Sequence, residues 1–585
     1  MSEAVRYRVS MSRPHSHLFE VEAQFPSAES LDLVLPVWTP GSYLVREFAR
    51  HVQELSASDD RGERLGVERV DKRTWRLRPQ GRPARVRYCV YANELTVRTS
   101  HLDGTHGFFN GATLFLYVEA FRQAPHHLAI DAPPGWSVFT ALERVDGGWQ
   151  APSYDVLVDS PVEIGPHRPI RFEAGGVPHE VVVWGGPVDA GKLAGDLAAV
   201  CDAEGALWGG LPVPRYLFLV YLADKGRGGL EHAASTALIY PRAQLSTSRG
   251  WEDFLTLAAH EYFHLWNVKR LKPRTFVPFD YGNENYTRLL WAFEGITSYY
   301  DNLLVRRAGR MSPGRYLVRL GEAASALAAT PGRRVQTLEE ASLTAWVKYY
   351  RQDEHTPNSA ISYYLKGELV ALCLDLELRR RTRDAQSLDD VMRLLWTRFG
   401  DGRGVPEEAV EAAASEVAGT DLRAFFDRAL RSTDELDLSV LEHVGLRARF
   451  RIRESAGDKG GTPPRLKEGD TRARGWTGIV PRGGSVGSVL EGSPAQAAGL
   501  YPDDEVVAID GVKGDAAALV ARADERSPGE TLRISVFRRD LLLEIPVTLE
   551  RRPEDAVWLA PVDSPTDAQR AAFERWAGAP LDGIG

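Results

Sequence analysis

The pattern of hydrophobic and polar positions changes twice along the chain. Over roughly the first 180 residues, short runs rich in β-branched and aromatic residues alternate with Pro, Gly and Asp turns, a pattern typical of strands. Clear examples are YRVSM, LFEVEAQF, LDLVLPVW, TWRLRP, ARVRYCVYA and TLFLYVEAF. We therefore predict an all-β amino-terminal domain over residues 1–180, built as a sandwich or as an open, saddle-like sheet.

A helical pattern follows. From about Trp251 to Leu441, apolar residues recur at spacings of three and four, as on helices that bury one face. The clearest segments are WEDFLTLAAHEYFHLWNVKR, YTRLLWAFEGITSYYDNLLVRRAG, SYYLKGELVALCLDLELRRR and LDDVMRLLWTRFG. Pro273 and Gly309 lie beyond the first two segments, where helix ends are expected. We predict a mainly helical domain over residues 181–454, entered through the strand-like runs HEVVVWG and PRYLFLVYL.

The pattern changes again near the carboxyl end. Residues 455–474 are charged and rich in Gly and Pro, which predicts a linker. Over residues 475–552 the alternation of Leu532, Ile534 and Val536, and then of Leu541 and Leu543, predicts a compact β-rich domain. Residues 553–585 are polar, and we expect them to form a surface extension.

Composition narrows the classes of function. A chain of 585 residues exceeds one hydrophobic core and predicts several domains. The net charge of −9 argues against nucleic acid and anionic membranes as partners, because both need a basic surface. Three scattered cysteines form no CxxC pair. No apolar run reaches the length of a signal peptide or of a membrane span, so we expect a cytoplasmic protein, or a periplasmic one if a leader was removed.

A motif within the first helical segment has the spacing of a metal site. His260 and His264 lie four residues apart, so on a helix their rings project from one face and can hold one zinc ion. Glu261 can serve as the base that takes a proton from the attacking water. HExxH also arises by chance on exposed helices, but this helix is apolar nearly all round, which predicts burial and favours the metal. Its apolar residues are Leu255, Leu257, Ala258, Ala259, Phe263 and Leu265.

A catalytic zinc ion needs a third protein ligand and one open position for water. Glu294 lies in the next helical segment among aromatic and aliphatic residues, and we predict that it completes the site, with one zinc ion per chain. An ion pair with Arg or Lys is the alternative for this carboxylate. Asp301 falls on the same helix face as Glu294 and is predicted to orient a ligand imidazole, or else to be a surface acid.

Two histidines and an aspartate also lie close together outside this motif. His101, Asp103 and His106 occur in VRTSHLDGTHGFFNGATLF. A second metal site is one interpretation. The irregular spacing favours a polar loop between domains, and we assign the group no catalytic role.

The motifs resemble those of gluzincin metallopeptidases. WAFEGITSYYD is similar to the glutamate-ligand helix of the aminopeptidase N superfamily, although Phe293 stands where that superfamily has Asn. A more specific resemblance, over nearly the whole chain, is to the glycyl aminopeptidase family. HEYFHLWNVKRLKP, LPVWTPGSYLVREFARH and SYYLKGELVALCLDL carry it. The resemblance implies a multidomain α+β fold, in which an all-β domain, a thermolysin-like catalytic domain and a carboxyl-terminal PDZ domain follow one another.

The resemblance also implies roles for residues outside the metal motif. Tyr364 begins Tyr-Leu-Lys-Gly, which resembles the motif whose phenol donates a hydrogen bond to the oxyanion, and Tyr363 is the competing candidate. The segment GGLEH resembles the strand that binds the substrate backbone and its free amino group. Gly228 and Gly229 would then contact substrate, and Glu231 would bind the α-ammonium group. An ordinary acid at the end of a strand is the alternative for Glu231.

In the carboxyl-terminal domain, the segment GSPAQAAGL followed by DDEVVAIDG resembles a bacterial PDZ domain. Trp476, Thr477, Gly478 and Ile479 would form its carboxylate-binding loop. The alternative is a degenerate PDZ fold that only packs.

Together these features predict a zinc-dependent aminopeptidase that acts on peptides with a free amino terminus. The family resemblance implies a preference for small first residues, such as glycine and alanine. One alternative is a zinc endopeptidase or broad aminopeptidase whose PDZ domain recruits protein carboxyl termini. The other is a PDZ adaptor on an inactive peptidase fold. The sequence leaves the oligomeric state open.

Overall fold

The structure is a computed structural model that describes residues 4–465 and 474–584. The chain divides into two compact units. The first unit comprises Met1–Tyr286, Ala308–Arg310 and Leu395–Pro406; the second comprises Thr287–Arg307, Met311–Leu394 and Glu407–Gly585. Of the predicted linker at 455–474, residues 466–473 lie outside the described residues.

The first unit begins with an eight-stranded sheet whose alternating side chains build the amino-terminal core. In spatial order its strands are Glu143–Val145, Gly148–Ala151, His126–Asp131, Val5–Ser10, Leu18–Ala28, Arg82–Tyr91, Val52–Asp59 and Arg64–Leu65. Every second residue of Val5–Ser10 and of Arg82–Tyr91 is buried, which is the period of a sheet with one face on a core.

Two smaller sheets accompany the large one. One has the strand order Ser137–Thr140, Val162–Gly165, Gly107–Phe109 and Ser100–Leu102, and the other has Leu31–Val34, Thr74–Leu77 and Glu68–Arg69. Short helices at Pro14–Ser16, Phe48–His51, Gly111–Leu114, Glu119–Phe121 and Tyr154–Val158 connect these strands. Aromatic residues such as Phe109, Phe115 and Tyr154 fill the shared core.

A mixed five-stranded sheet follows in the same unit, in the order Ile170–Ala174, Val177–Trp184, Tyr216–Ala223, Ser235–Pro241 and Gly228–Glu231. The three middle strands are parallel. The last, which we name the edge strand (Gly228–Glu231), pairs antiparallel with Ser235–Pro241. The remaining helices of this unit are Ala190–Trp208, Arg242–Ser246, Ser248–Phe263 and Arg274–Phe276. We name Ser248–Phe263 the metal helix, and it packs against the edge strand.

The second unit is helical over most of its length. Its helices are Trp291–Gly295, Ile296–Arg307, Pro313–Ala328, Pro331–Arg334, Leu338–Leu343, Thr356–Ser359, Tyr363–Thr382, Leu388–Phe399, Ala409–Ala418, Arg423–Arg431 and Leu438–Val444, and the last turn of Leu388–Phe399 falls in the first unit. The long helix Tyr363–Thr382 is buried over most of its residues, so it forms the centre of the bundle.

The C-terminal β unit (residues 474–552) is part of the second unit. Its main sheet has the order Ile479–Arg482, Ser485–Val489, Glu505–Ile509, Thr531–Arg538 and Leu541–Thr548, with Val512–Lys513 paired to Glu505–Ile509. Gly475–Trp476 pairs with Glu550–Arg551, and Pro494–Ala498 and Ala516–Asp524 are helical. Asn358 of the helical part joins this unit, since its Nδ2 donates to Val489 O at 2.8 Å and its Oδ1 accepts from Glu491 N at 2.9 Å.

The expectation that residues 553–585 form a surface extension is wrong. Strand Ala556–Pro561 pairs with Leu446–Arg451, and helix Asp567–Ala577 buries Phe573 and Trp576 completely. The indole nitrogen of Trp576 donates to the Tyr299 hydroxyl at 2.8 Å. The segment is polar on average, but its large apolar residues share one face of a helix. An average over the composition does not reveal such a face. A last short helix covers Leu581–Gly583.

The predicted multidomain α+β architecture, with a β-rich amino-terminal part and a helical part, is confirmed. Among the described residues, none of the helices combines the length and the apolar composition needed to cross a bilayer.

Candidate active site

The metal helix holds the two predicted histidine ligands at its carboxyl end. Its amino end is capped by Thr247, whose side chain accepts from Gly250 N. The helix ends at Phe263 instead of continuing to Arg270, and His264 is the capping residue. The rings of His260 and His264 lie 4.7 Å apart, centroid to centroid, and nearly perpendicular, so both imidazoles stand on the same side of the helix end.

Hydrogen bonding fixes the orientation of His264. This residue is buried, and its Nδ1 lies 2.7 Å from Asn267 O. A carbonyl can only accept, so Nδ1 carries the proton and Nε2 carries the lone pair, which is the tautomer that binds a metal. The chain turns sharply after the helix, and that turn places the Asn267 carbonyl beside the ring.

Glu261 lies against the edge strand. The backbone of Gly229 approaches so closely that a Cβ on residue 229 would overlap the Glu261 carboxyl group. Glu231, Glu261 and His264 are all buried, and each offers one donor atom within 4.8 Å of the others. The structure therefore brings the predicted base, one predicted ligand and the predicted amine-binding residue together in the first unit.

Glu231 is a buried acid that its neighbours leave incompletely satisfied. It is 3% exposed, and its Oε1 has no hydrogen-bond partner among the described residues. Gly41, with φ of +88°, lies against this carboxylate so closely that a side chain at position 41 would overlap it. Because an unsatisfied buried carboxylate is costly, such a group is suited to bind a cation from outside the chain.

Two further residues of the amino-terminal part support the edge strand. Arg98 donates from Nη2 to Gly229 O at 3.2 Å, and Gly228 lies beside the same guanidinium. Neither Arg98 nor Gly41 was identified from the sequence. Gly41 falls within the segment TPGSY, whose Pro-Gly pair marks a turn, but a turn signal does not reveal a contact with a residue 190 positions away.

Glu294 lies on a local irregularity in the second unit. Residues Trp291–Gly295 form a π-helical turn directly before helix Ile296–Arg307. Such turns occur mainly as single-turn insertions at functional sites, where they redirect a side chain. Glu294 is 2% exposed. Gly295 packs against Gly367 of helix Tyr363–Thr382, with no room for a Cβ on either residue.

Tyr364 belongs to a group of four tyrosines near Glu294. Burial raises the pKa of Tyr364 well above its usual value, and the charge of Glu294 raises it further. Its hydroxyl lies 3.0 Å from that of Tyr350, and Tyr363 stacks on its ring at 4.6 Å. The competing Tyr363 is fully buried, whereas Tyr364 is half-buried and thus the more accessible of the two. Tyr350 was missed; its only signal in the sequence is the Tyr-Tyr pair in VKYYR, one of three such pairs in the chain.

The remaining predicted residues are placed as follows. Asp301 is buried and accepts from Asn302 Nδ2 at 2.7 Å. Its role in orienting an imidazole stays a prediction. In the C-terminal β unit, Trp476 ends strand Gly475–Trp476, and Thr477 and Gly478 connect it to Ile479 of strand Ile479–Arg482, at the edge of its sheet. Gly478 has φ of +79°.

The chain is similar to known peptidases over most of its length. Residues 6–166 match the family description Peptidase M61 N-terminal domain, and residues 253–370 match M61 glycyl aminopeptidase. The crystal structure of an aminopeptidase N family protein from Idiomarina loihiensis has 32% identity and a TM-score of 0.91, covering 98% of this chain and 99% of its own.

Other similarities are lower in identity or cover a smaller part of the chain. An M1 zinc metallopeptidase from Deinococcus radiodurans is 12% identical, with a TM-score of 0.47, over 75% of this chain and 95% of its own. A probable periplasmic serine endoprotease, DegP-like, from Hahella chejuensis is 31% identical over 107 residues, 15% of this chain. The chain spans 23% of the length of that curated relative.

Proposed function

Because the chain belongs to the M61 glycyl aminopeptidase family, we propose that it is a zinc-dependent aminopeptidase that releases small amino-terminal residues, such as glycine and alanine, from peptides. One observation carries the exopeptidase part of the proposal. The carboxyl groups of Glu231 and Glu261 each offer an atom within 4.8 Å of the other.

This separation suits the substrate of an aminopeptidase. The α-ammonium group of a peptide is only two bonds from the carbonyl carbon that is attacked, or about 2.5 Å by standard bond lengths. An anchor for that ammonium must therefore lie beside the catalytic base. An endopeptidase has no need of a second buried carboxylate at this point, since its substrate carries a neutral amide there.

The donor set fits zinc. The predicted ligands are His260, His264 and Glu294, and imidazole with carboxylate is a ligand set that zinc prefers. The tautomer of His264 that the Asn267 carbonyl imposes is the metal-binding one. When bound, zinc supplies a Lewis acid that polarises the scissile carbonyl and lowers the pKa of water.

Glu261 acts as the general base. Its carboxylate takes a proton from the attacking water and later gives that proton to the departing amine. The backbone of Gly229 contacts the Glu261 side chain so closely that it limits the rotamers of Glu261. A fixed carboxylate costs little reorganisation when the proton moves.

Tyr364 stabilises the oxyanion that forms when water adds to the carbonyl. A phenol whose pKa is raised by burial and by Glu294 keeps its proton throughout the working pH range, so it stays a hydrogen-bond donor. The Tyr350 hydroxyl, 3.0 Å away, holds the Tyr364 hydroxyl in place.

Substrate binds along the edge strand. Gly228 and Gly229 present backbone groups without a side chain on the outermost strand of the sheet, where a peptide backbone can pair as an added strand. Glu231 at the end of this strand then accepts hydrogen bonds from the α-ammonium group. This contact fixes cleavage after the first residue of the substrate.

The C-terminal β unit is proposed to be a PDZ domain that binds a protein carboxyl terminus. Strand Ile479–Arg482 is an edge strand next to helix Ala516–Asp524, which suits addition of a peptide strand between them. Trp476, Thr477, Gly478 and Ile479 would bind the terminal carboxylate through backbone N–H groups.

A reporter panel tests the proposed function. Metal-free protein, reconstituted with zinc, is assayed on glycyl, alanyl, leucyl and arginyl reporters and on amino-blocked peptides. We expect one catalytic zinc ion per chain, cleavage of glycyl and alanyl reporters, no cleavage of blocked peptides, and loss of activity with chelator. Cleavage inside blocked peptides would favour the endopeptidase alternative. Absence of zinc and of cleavage would favour the adaptor and contradict the proposal.

A further inference from the structure

A second group of imidazoles and carboxylates lies in the first unit, apart from the metal helix. We name it the imidazole cluster (His101, Asp103, His106, Glu163 and His167). Strands Ser100–Leu102 and Gly107–Phe109 form a hairpin whose turn contains Asp103, and Glu163 lies on the neighbouring strand Val162–Gly165. The interpretation of this segment as a polar loop therefore holds only for residues 103–106, which include Asp103 and His106, because His101 lies on strand Ser100–Leu102.

A buried carboxylate holds His106 on one side. His106 is 0% exposed, and its Nδ1 lies 3.0 Å from Glu163 Oε1. Glu163 is also fully buried, with His167 Nε2 at 2.6 Å and the Tyr221 hydroxyl donating at 3.1 Å. Glu163 therefore makes hydrogen-bond contacts to two imidazoles and one phenol.

Hydrogen bonds within the cluster leave two buried nitrogens unused. His106 Nε2 and His101 Nδ1 are both buried and have no partner among the described residues. Leaving such an atom unpaired costs about 1–3 kcal/mol, and in native proteins a water or an ion satisfies nearly all of them. A histidine held at one nitrogen by a carboxylate, with its other nitrogen open, is the usual arrangement of a metal-binding histidine.

We propose that His101, Asp103 and His106 bind a second divalent transition-metal ion of the zinc class, and that Glu163 orients His106 from behind. The three residues each offer one donor atom within 4.8 Å of the others. His101 Nε2 forms a hydrogen bond with Asp103 Oδ2 at 3.2 Å, which leaves Nδ1 as the open nitrogen of His101.

The ligand chemistry selects the class of ion. Two imidazoles and one carboxylate suit zinc, cobalt or nickel, whereas magnesium and calcium prefer oxygen ligands alone. The ion would be structural. His106 stacks on Trp184 at 4.3 Å, and Trp184 ends a strand of the five-stranded sheet that carries the edge strand. A bound ion would therefore fix the position of the imidazole that stacks on this sheet.

Metal counting on the full chain tests the site independently of catalysis. Untagged protein is stripped with chelator, reconstituted with zinc or cobalt, desalted and analysed by mass spectrometry for bound metal. We expect two ions per chain in the unmodified protein and one in His264→Ala. We expect one in His101→Gln and in Asp103→Asn, both of which keep the aminopeptidase activity within a few-fold. His127→Gln, which removes a half-exposed imidazole of the same unit, is the matched control and should keep both ions.

Stability gives a second readout. Zinc should raise the melting temperature of His264→Ala in proportion to the logarithm of free zinc, and should not do so in His264→Ala combined with Asp103→Asn. Asp103→Asn retains a side-chain oxygen that can accept from the backbone N–H groups of Thr105 and His106. We therefore expect this variant to fold even if a variant of the buried His106 does not. A count of one ion that only His264→Ala removes, or a second ion that neither cluster variant removes, overturns the proposal.

Discussion

Gly41 lies against the carboxylate of Glu231, with a backbone conformation (φ of +88°) that only glycine adopts readily. The two residues are far apart in sequence, and the contact joins a turn of the amino-terminal β part to the edge strand. A side chain at position 41 would displace the Glu231 carboxylate from the position in which we propose it binds the substrate amine.

We therefore predict that Gly41→Ala raises the KM for glycyl reporters by about 10-fold or more, since moving one charge-assisted hydrogen bond costs about 1.5–3 kcal/mol. Steady-state kinetics measures the change. Gly62→Ala is the matched control, because Gly62 has a similar φ of +86° and nothing within 4 Å of a Cβ. Equal effects of the two substitutions would mean that backbone strain, and not contact with Glu231, is responsible.

Removing the charge of Glu231 should separate exopeptidase from endopeptidase chemistry. Glu231→Gln is expected to lower kcat/KM for free aminoacyl reporters by roughly 10–100-fold, because a neutral amide binds an ammonium less well. Parallel assays on free and amino-blocked peptides measure the selectivity. Glu173→Gln, which changes an exposed acid on the same sheet, should have no effect. Equal activity of Glu231→Gln and the unmodified protein on free reporters would contradict the role of Glu231.

Tyr350 should affect the chemical step through Tyr364. We expect Tyr364→Phe to lower kcat by about 10²–10³-fold, as for loss of one oxyanion donor. Tyr350→Phe removes only the hydroxyl that lies 3.0 Å from that of Tyr364, and should lower kcat by a factor of about 3–10 with little change in KM. In the double variant, Tyr350→Phe should have no further effect. Additive losses would show that Tyr350 acts independently.

Gly295 and Gly367 should tolerate no side chain. Their backbones are in contact, so Gly295→Ala must separate the π-helical turn from the central helix, at a cost of about 1–3 kcal/mol. The melting temperature should fall by several degrees, at about 2–4 °C per kcal/mol for a unit of this size. Gly195→Ala is the contrasting control, since Gly195 lies in a helix with open space around it and gains helix propensity. A stabilised Gly295→Ala protein would refute the packing argument.

His126 should contribute to loss of stability in mild acid. Burial lowers the pKa of His126 to about 4, from an ordinary value of 6.5. Between these values the unfolded chain binds more protons than the folded one, so the free energy of unfolding falls as the pH drops from 6.5 towards 4. The contribution is at most about 3 kcal/mol.

His126→Asn can keep a donor for Ala124 O while removing the titrating ring. Melting temperatures measured across this pH range should therefore fall less steeply in the variant than in the unmodified protein. The same slope in both proteins would assign the acid sensitivity to other groups.

Local patterns in the sequence were sufficient for much of the fold and for the buried helix that carries His260 and Glu261. The spacing of His260 and His264 depends on helix geometry alone, and the strands of the amino-terminal part follow from alternation. The structure confirms a buried helix there and a β-rich beginning. Helix Asp567–Ala577 was misassigned because its polar majority hides the face that carries Phe573 and Trp576.

Non-local features could not be predicted. The contact of Gly41 with Glu231 depends on how two distant segments pack, and no periodicity encodes it. The π-helical turn at Trp291–Gly295 requires one extra residue per turn, which tertiary packing imposes and which apolar spacing does not reveal. The paired strands around His101 and His106 are three residues long, too short for alternation to identify.

The strand pair Leu446–Arg451 and Ala556–Pro561 has a consequence for the order in which the chain folds. The C-terminal β unit lies between the two strands in sequence, so pairing them closes a loop of about 100 residues. Because closing a long loop costs conformational entropy, we expect these strands to pair late in folding. During synthesis, the helices before Leu446 leave the ribosome with part of their apolar surface still uncovered. Ser325 and Tyr299 gain their partners Val557 and Trp576 only after the C-terminal β unit has been made. The helical part of the second unit is thus prone to aggregate until strand Ala556–Pro561 and helix Asp567–Ala577 have been synthesised and have packed against it.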